Sequence, residues 1–249
     1  MISIAQLQAK LVSDPFRTTE YQCQTDINLY SSPTSDSLVT QATSGRQLRL
    51  IAIPQDLAGD FDDSAIEVCL CEDDYSGWLR IEDLVQLKIA DTAYQAIALS
   101  ADDIRARLPQ VIDFTYQAMN QPNQYLWGGT VGPNYDCSGL MQTAFAATGI
   151  WLPRDAYQQE AFVQALPIEA LRPGDLIFFG QTERANHVGL YLGEGNYIHS
   201  SGKDQGRNSI GIDSLSGPTS AISQRYYKQL RSYGRVITSY QPQELRAMP

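Results

Sequence analysis

The chain has few histidines and few cysteines. Its 249 residues include two histidines and four cysteines, and no C-x-x-C motif occurs. Structural zinc sites use closely spaced cysteine and histidine ligands, so we expect no bound metal and predict no cofactor. The cysteines are also too sparse for a disulfide framework, which is typical of a protein from a reducing compartment. They are Cys23, Cys69, Cys71 and Cys137.

Long apolar runs and an excess of basic residues are also missing. No segment approaches the ~20 consecutive apolar residues of a transmembrane helix. Residues 1–11 lack the basic start, apolar core and small-residue cleavage site of a secretory signal. With 18 Lys and Arg against 28 Asp and Glu, the net charge of −10 argues against nucleic acid and anionic lipid as partners. We therefore expect a cytoplasmic protein that binds neither nucleic acid nor membrane.

One cysteine lies where a loop is predicted to become a helix. Glycines and a proline precede Cys137, and apolar residues recur after it at helical spacing until Gly149. Backbone N–H groups at a helix N-terminus carry roughly +0.5 of a charge, which favours a thiolate and predicts a pKa for Cys137 below the usual ~8.5. The alternative is a small buried hydrophobic residue, which is what most free cysteines are.

Both histidines fall in one predicted β-hairpin. Strand-like segments flank a Gly-Glu-Gly turn at residues 193–195. With the glutamate at the centre of the turn, residue 189 lies opposite His199, and His187 is a diagonal neighbour on the same face, with Cβ atoms ~7–8 Å apart. One imidazole can then hydrogen-bond the other and fix its tautomer. A nucleophile, an adjacent base and a group that orients the base are the arrangement for covalent acyl transfer, whereas the alternative is two ordinary polar residues on a solvated sheet face.

Several short blocks in the second half of the chain stand in a characteristic order. They are Tyr125-Leu-Trp-Gly-Gly129, Asp136-Cys-Ser-Gly139, Leu152-Pro-Arg154, Pro173-Gly-Asp-Leu-Ile-Phe-Phe179, His187-Val-Gly189 and Ile198-His199. In order and spacing the chain resembles the NlpC-type cell-wall cysteine peptidases over about residues 105 to 235. The resemblance implies a papain-like α+β fold and hydrolysis of peptidoglycan peptides. It also implies that Cys137 is the nucleophile, His187 the base and His199 the residue that orients the base.

The first third of the chain has the pattern of a small β domain. Between about residues 18 and 86, short alternating segments separated by turns predict a small barrel, which resembles a bacterial SH3-like domain. We expect a lead-in and this barrel over residues 1–88, a packed connector over 89–104 and the papain-like cysteine peptidase domain over 105–249. The fold class is thus α+β with a small all-β barrel in front, and the alternative role for the barrel is a plain scaffold.

The second domain is predicted to contain several further elements. A helix opens at Ser100 in the manner of a capping box and ends before Pro122. Residues 175–179 form a buried strand that pairs with the histidine hairpin. Residues 203–223, rich in Gly, Ser and Asn, form a surface excursion, and residues 226–237 supply the last strand.

Residues around the predicted nucleophile have both a structural and a functional interpretation. Asp136 and Ser138 are typical helix caps, whereas relatives with an N-terminal barrel use an acid and a serine at these positions to hold an N-terminal L-alanine. The Tyr125 hydroxyl is expected to stabilise the oxyanion, its alternative being a core aromatic. By the same resemblance, Tyr75 on the loop 72–78 contacts the free N-terminal amine of the substrate.

The resemblance also implies a substrate. The scissile bond joins γ-D-glutamate to a diamino acid, normally meso-diaminopimelate, in a murein tripeptide or tetrapeptide with a free N-terminal L-alanine. A cytoplasmic enzyme would meet such peptides during recycling. Many relatives have a serine or threonine where this chain has Ala156, which removes one substrate hydrogen bond. Two other functions stay open: another cysteine-dependent amidase or acyltransferase, and a module in which the barrel binds wall peptides and Cys137 is inert.

Overall fold

The computed structural model divides the chain into two compact units. It describes residues 13–14, 18–52, 65–181, 183–215 and 220–243. One unit comprises residues 1–96 with 241–249, and the other comprises residues 97–240. This division cuts through the connector predicted over residues 89–104. It also assigns the end of the chain to the first unit, where the backbone N–H of Gln243 donates to Asp74 over 2.7 Å. Of the lead-in predicted over residues 1–20, residues 1–12 and 15–17 lie outside the described residues.

The described part of the first unit is mainly β, as the sequence predicts, with a short 3₁₀ helix over Ile81–Gln86. All of its strand pairs are antiparallel, in the order β3-β2-β6-β5-β4-β1-β7. Alternate residues point into a core that includes the fully buried Leu29, Leu48 and Leu79. The strands are β1 (Glu20–Cys23), β2 (Ile27–Tyr30), β3 (Leu38–Ala42), β4 (Gln47–Ala52), β5 (Ala65–Leu70), β6 (Ser76–Arg80) and β7 (Leu87–Ile89).

The second unit combines helices with one antiparallel sheet. The order of the strands in the sheet is β12-β11-β10-β9-β13-β8. The strands are β8 (Gln164–Leu166), β9 (Leu176–Phe179), β10 (His187–Gly193), β11 (Asn196–Ser201), β12 (Ser209–Ser214) and β13 (Leu230–Arg235). The α-helices among its described residues are α1 (Ala101–Met119), α2 (Cys137–Ala146), α3 (Ala156–Phe162) and α4 (Ala221–Tyr227). An α+β fold of this kind confirms the predicted class.

The helix α1 begins at the predicted capping box. The hydroxyl of Ser100 accepts the backbone N–H of Asp103, and the Asp103 carboxylate accepts the backbone N–H of Ser100 over 3.1 Å. These reciprocal bonds satisfy N–H groups that the first helical turn leaves unpaired. Ile104 and Val111, two turns apart on the same stripe, then face the core.

The hairpin that carries both histidines has the predicted register. Leu190 lies opposite Ile198, as a turn centred on Glu194 requires, and Glu194 has a positive φ of 52°. The strand β9 pairs with the other edge of β10, so that Phe179 lies opposite His187. All four residues of β9 are buried, as expected for its continuous apolar run.

The segment predicted as a surface excursion contains regular structure, and that prediction was wrong. β12 pairs with β11 along its full length, and α4 occupies residues that we assigned partly to the excursion and partly to the last strand. The buried face of β12 carries Gly211 and Asp213, whereas the apolar Ile212 is 38% exposed. Ile210 and Ile212 do alternate with small or polar residues, but this pattern is short and lies in a segment whose Gly, Ser and Asn content we interpreted as a loop.

Among the described residues, no helix has both the length and the apolar character needed to span a membrane.

The turn between β5 and β6 is fixed by a buried arginine. Arg46 contacts Glu72 Oε2 through Nε at 3.1 Å and Asp73 Oδ1 through a terminal nitrogen at 2.9 Å, and all three side chains are almost fully buried. Glu72 also accepts the backbone N–H of Gln47 over 2.8 Å. Two of the acidic residues on this turn therefore serve as anchors rather than as a solvated face.

Replacing Arg46 should destabilise the first unit strongly. Arg46→Met leaves two buried carboxylates without their cation, which we expect to lower the free energy of unfolding by about 3–5 kcal/mol. The exposed pair of Lys88 and Asp91 supplies the control, and Lys88→Met should cost less than about 1 kcal/mol. Urea denaturation monitored by tryptophan fluorescence measures both values, and equal losses would contradict the anchoring role.

Candidate active site

The loop before α2 is organised around one buried carboxylate. Asp136 caps the helix, since its Oδ1 accepts the backbone N–H of Gly139 over 2.6 Å and its Oδ2 accepts that of Gly128 over 2.8 Å. The guanidinium of Arg154 binds both oxygens, at 2.6 Å and 3.2 Å. A Cβ added at Gly139 would lie 2.0 Å from the carbonyl oxygen of Gly129, so glycine is required where the helix meets this loop. Together these contacts fix the first turn of α2.

Cys137 is the first residue of that helix. Its sulfur accepts hydrogen bonds from the backbone N–H groups of Val188 and Ser138. Because Val188 follows His187 in β10, the sulfur lies against the start of that strand. Burial and the charge of Asp136 nevertheless raise the pKa of the thiol to about 12. Our prediction of a lowered pKa was therefore wrong in direction, because burial outweighs the field of the helix terminus. The resting residue is a neutral thiol.

The two histidines form the predicted pair. His187 Nε2 lies 2.7 Å from His199 Nδ1, and both side chains are buried. Burial and the neighbouring His199 hold the pKa of His187 well below its usual 6.5. Burial also lowers the pKa of His199, although a carboxylate beside it acts in the opposite direction. Both imidazoles are therefore neutral at neutral pH.

The carboxylate beside His199 belongs to Asp213 on β12, a residue that we did not predict from the sequence. Its Oδ2 lies 2.8 Å from His199 Nε2 and also accepts a terminal N–H of Arg207 over 2.6 Å. Its Oδ1 accepts the hydroxyl of Ser223 over 2.7 Å. Burial alone would raise the pKa of Asp213, but the hydrogen bonds from His199 and Ser223 lower it below its usual value. The signal that could have placed Asp213 on a strand is the alternation of Ile210 and Ile212 with small or polar residues.

Aromatic rings enclose the histidine pair. The ring of Tyr226 stacks on His187 with centroids 4.4 Å apart and an angle of 25° between the planes, and it meets His199 edge-on at 4.8 Å. Phe179 lies 5.6 Å from His187, and Tyr197 lies 4.9 Å from His199. These rings exclude water from the imidazoles, which is consistent with their lowered pKa values.

The other residues predicted near the nucleophile also lie beside it. Tyr125 is half-buried and lies near Cys137, and burial raises the pKa of its hydroxyl. Ser138 is buried, where its hydroxyl contacts Arg154 at 3.0 Å and Asp136 at 3.3 Å. Those contacts give Asp136 and Ser138 structural roles, and their binding of substrate stays a prediction.

Tyr75 and Ala156 are the two other residues that we singled out in the sequence. Tyr75 belongs to the first unit, in the turn between β5 and β6, where its backbone N–H donates to Asp73 Oδ1 over 3.2 Å. Its contact with a substrate amine stays a prediction. Ala156 is buried at the first position of α3. Across the described ranges of the chain, no group of three acidic, histidine or cysteine side chains is placed to hold a metal ion.

The neutral histidines should make the fold sensitive to mild acid. The pKa values of His187 and His199 are lowered by folding, so below about pH 6.5 the unfolded chain binds more protons than the folded protein. The free energy of unfolding should therefore fall as the pH drops from 7.5 to 5.5, by up to about 1.4 kcal/mol per pH unit for each histidine. Urea denaturation at both pH values measures this change. A double variant, His187→Gln with His199→Gln, should show a flatter dependence, and equal slopes would contradict the assignment.

Two family models match the chain. Residues 122–232 match the NlpC/P60 family, and residues 29–84 match the bacterial dipeptidyl-peptidase SH3 domain. The first match includes Cys137, His187, His199 and Asp213, and the second includes most of the described strands of the first unit.

Relatives and a solved structure are similar over parts of the chain. A γ-D-glutamyl-L-lysine dipeptidyl-peptidase of Bacillus subtilis is 44% identical over 79 residues, which cover 30% of this chain and 27% of that protein. A bifunctional muramidase/DL-endopeptidase of the same organism is 41% identical over 117 residues, covering 45% of this chain and 32% of that protein. The chain thus spans about a quarter to a third of the length of these relatives.

A crystal structure of an NlpC/P60 family protein from Bacillus cereus covers 90% of this chain and 65% of its own, with 24% identity and a TM-score of 0.45. By the two family models, the chain contains an NlpC/P60 domain in its second unit and a bacterial SH3 domain in its first.

Proposed function

We propose that the protein is a cysteine peptidase that hydrolyses the γ-D-glutamyl–diamino acid bond of peptidoglycan-derived peptides. The observation that carries this proposal is the hydrogen-bonded pair of His187 and His199 at the strand against which the Cys137 thiol lies. The similarity to γ-D-glutamyl-L-lysine dipeptidyl-peptidases supports the choice of bond. The substrate would be a murein tripeptide or tetrapeptide with a free N-terminal L-alanine, taken up for recycling in the cytoplasm.

Acylation starts from a neutral thiol and a neutral imidazole. His187 accepts the proton of Cys137 while the sulfur attacks the carbonyl carbon of the D-glutamyl side chain. The backbone N–H groups of Val188 and Ser138 stabilise the negative charge on the sulfur as the proton leaves. A thiolate is thus needed only during the attack, which is compatible with its raised pKa in the resting protein.

The tetrahedral intermediate then collapses to a thioester, which water hydrolyses in a second half-reaction. The backbone N–H of Cys137 and the hydroxyl of Tyr125 stabilise its oxyanion, and the loss of one such donor typically costs ~10²–10³ in rate. The imidazolium of His187 protonates the amine of the diamino acid as the C–N bond breaks, leaving a thioester on Cys137. Water, deprotonated by His187, hydrolyses the thioester and releases the γ-carboxylate of D-glutamate.

The predicted preference for a free amine is best tested away from Asp136. Any substitution of Asp136 also removes a helix cap and the partner of the buried Arg154, so that lost activity would have a structural cause. Tyr75→Phe removes only a hydroxyl, and Ser138→Ala removes a hydroxyl while Arg154 stays bound to both oxygens of Asp136. If these hydroxyls contact the N-terminal L-alanine, both variants should raise KM for the free peptide with a smaller effect on kcat.

Cleavage of defined peptides tests the proposed activity. L-Ala-γ-D-Glu-meso-diaminopimelate, its L-lysine counterpart and their N-acetylated twins are incubated with the protein, and the products are identified by mass spectrometry. We expect cleavage of the free peptides, retained in Cys23→Ala and reduced at least ~10⁴-fold in Cys137→Ala. Cys23 is a buried thiol of the first unit and serves as the matched control.

Each other outcome has a definite meaning. Cleavage of the acetylated twins as well would keep the peptidase and remove the requirement for a free amine. No Cys137-dependent cleavage would contradict the proposal. Transfer of the acyl group to an added amine would then indicate an acyltransferase, and binding of the peptides without turnover would indicate a wall-peptide binding module.

The pH dependence of kcat/KM should report the lowered pKa of His187. Because the base must be neutral, kcat/KM falls as the pH drops through the His187 pKa, which lies well below 6.5. We therefore expect nearly full kcat/KM at pH 6, with the acid limb at lower pH. Initial rates under subsaturating substrate measure this profile, with folded protein verified by circular dichroism at each pH. A half-maximal point at or above pH 6.5 would contradict the prediction.

A further inference from the structure

We propose that Asp213 is a positioning residue that selects the tautomers of both histidines and so makes His187 a base. The inference extends the proposed function, on which only its catalytic consequence rests, because the tautomers themselves are measurable without substrate. Asp213 contacts His199 alone of the two histidines, and it therefore acts on His187 through its neighbour.

The positions of the imidazole protons follow from the hydrogen bonds, taken in order from Asp213 to His199 to His187. An ionised carboxylate only accepts, so His199 Nε2 must donate to Asp213 Oδ2. A neutral His199 then has only a lone pair at Nδ1, and this atom lies 2.7 Å from His187 Nε2, which must donate. The one ring nitrogen of His187 left without a proton is Nδ1. His187 is therefore held in the tautomer that can accept a proton.

Three side chains hold Asp213 in place. Its Oδ1 accepts from the hydroxyl of Ser223 at 2.7 Å and from that of Ser220 at 3.3 Å, while Arg207 shares Oδ2 with His199. The cation of Arg207 compensates the carboxylate, which is 5% exposed. All acceptor directions of the carboxylate are used, so its orientation toward His199 is fixed.

The short helix α4 connects this carboxylate to the other end of the histidine pair. Ser220 caps the helix and Ser223 lies in its first turn, and both contact Asp213. One turn later, Tyr226 stacks on His187 and bonds the hydroxyl of Ser201 over 2.9 Å. The helix α4 thus contacts both the Asp213 carboxylate and the imidazole ring of His187, whose tautomer Asp213 selects.

Two substitutions of Asp213 have opposite consequences for the protons. Asp213→Ala leaves only the donor Arg207 beside His199 Nε2, so that atom becomes an acceptor and the proton moves to Nδ1. His199 then donates to His187 Nε2, and His187 keeps its own proton on Nδ1, where no lone pair remains for the thiol. In Asp213→Asn the amide oxygen can still accept from His199 and Arg207, while the amide NH₂ donates to the serine hydroxyls, which also accept.

Nuclear magnetic resonance of ¹⁵N-labelled histidine measures these tautomers directly in the full chain. Because the chain has two histidines, only four ring nitrogens contribute. We expect the Nε2–H tautomer for both rings in the wild type and in Asp213→Asn, and the Nδ1–H tautomer for both in Asp213→Ala. On the murein tripeptide, kcat should fall about 10²-fold or more in Asp213→Ala, and less in Asp213→Asn, with KM little changed.

Asp175→Asn is the matched control, since Asp175 is an equally buried carboxylate of the same unit that pairs with Arg235. It should leave both tautomers unchanged. An Nδ1–H proton on His199 in the wild type would overturn the proposal even if Asp213→Ala does not fold, and so would unchanged tautomers in folded Asp213→Ala. If the tautomers shift as expected but no peptide is cleaved, the proposed function fails and the role of Asp213 stands.

Discussion

The hydrogen bond between His187 and His199 is the contact on which the proposed active site depends. The two residues come from neighbouring strands, so the bond exists only in one register of the β10–β11 hairpin. A slip of one residue would turn one imidazole to the opposite face of the sheet. The buried strand β9 and the fully paired β12 flank the hairpin and prevent such a slip. The pairing of strands in the sheet thus fixes the positions of the two imidazole rings relative to each other.

Burial decides how this site handles charge. The described residues around Cys137 carry two buried carboxylates, Asp136 and Asp213, and an arginine compensates each of them. The thiol and His187 have no such partner, and burial outweighs the effect of Asp213 on His199, so the thiol and both imidazoles remain neutral. In the proposed mechanism, charge appears at the reacting atoms only when a proton moves from sulfur to nitrogen. Buried, prearranged N–H groups at the sulfur are worth most under that condition, because little water competes for them.

The sequence predicted those parts of the site whose signals are local. The cap at Asp136, the hairpin turn and the buried apolar strand are each encoded within a few residues, and all were found. Asp213 was missed because the alternation of Ile210 and Ile212 in β12 is short and lies in a segment rich in Gly, Ser and Asn, which we interpreted as a loop. The pKa of Cys137 was predicted in the wrong direction because burial arises from the packing of β10 against α2, which no local pattern contains.

Asp136 shows how a structural role constrains a functional one. The donors around its two oxygens include two backbone N–H groups and both terminal nitrogens of Arg154, and these fix the loop that presents the thiol. Because Arg154 compensates its charge, the carboxylate would attract a substrate ammonium as part of a dipole rather than as a net charge. A preference for free amines would then depend on hydrogen-bond geometry at the ammonium. The pH dependence of this preference would follow protonation of the substrate amine, whose pKa is ~7.7–8.0.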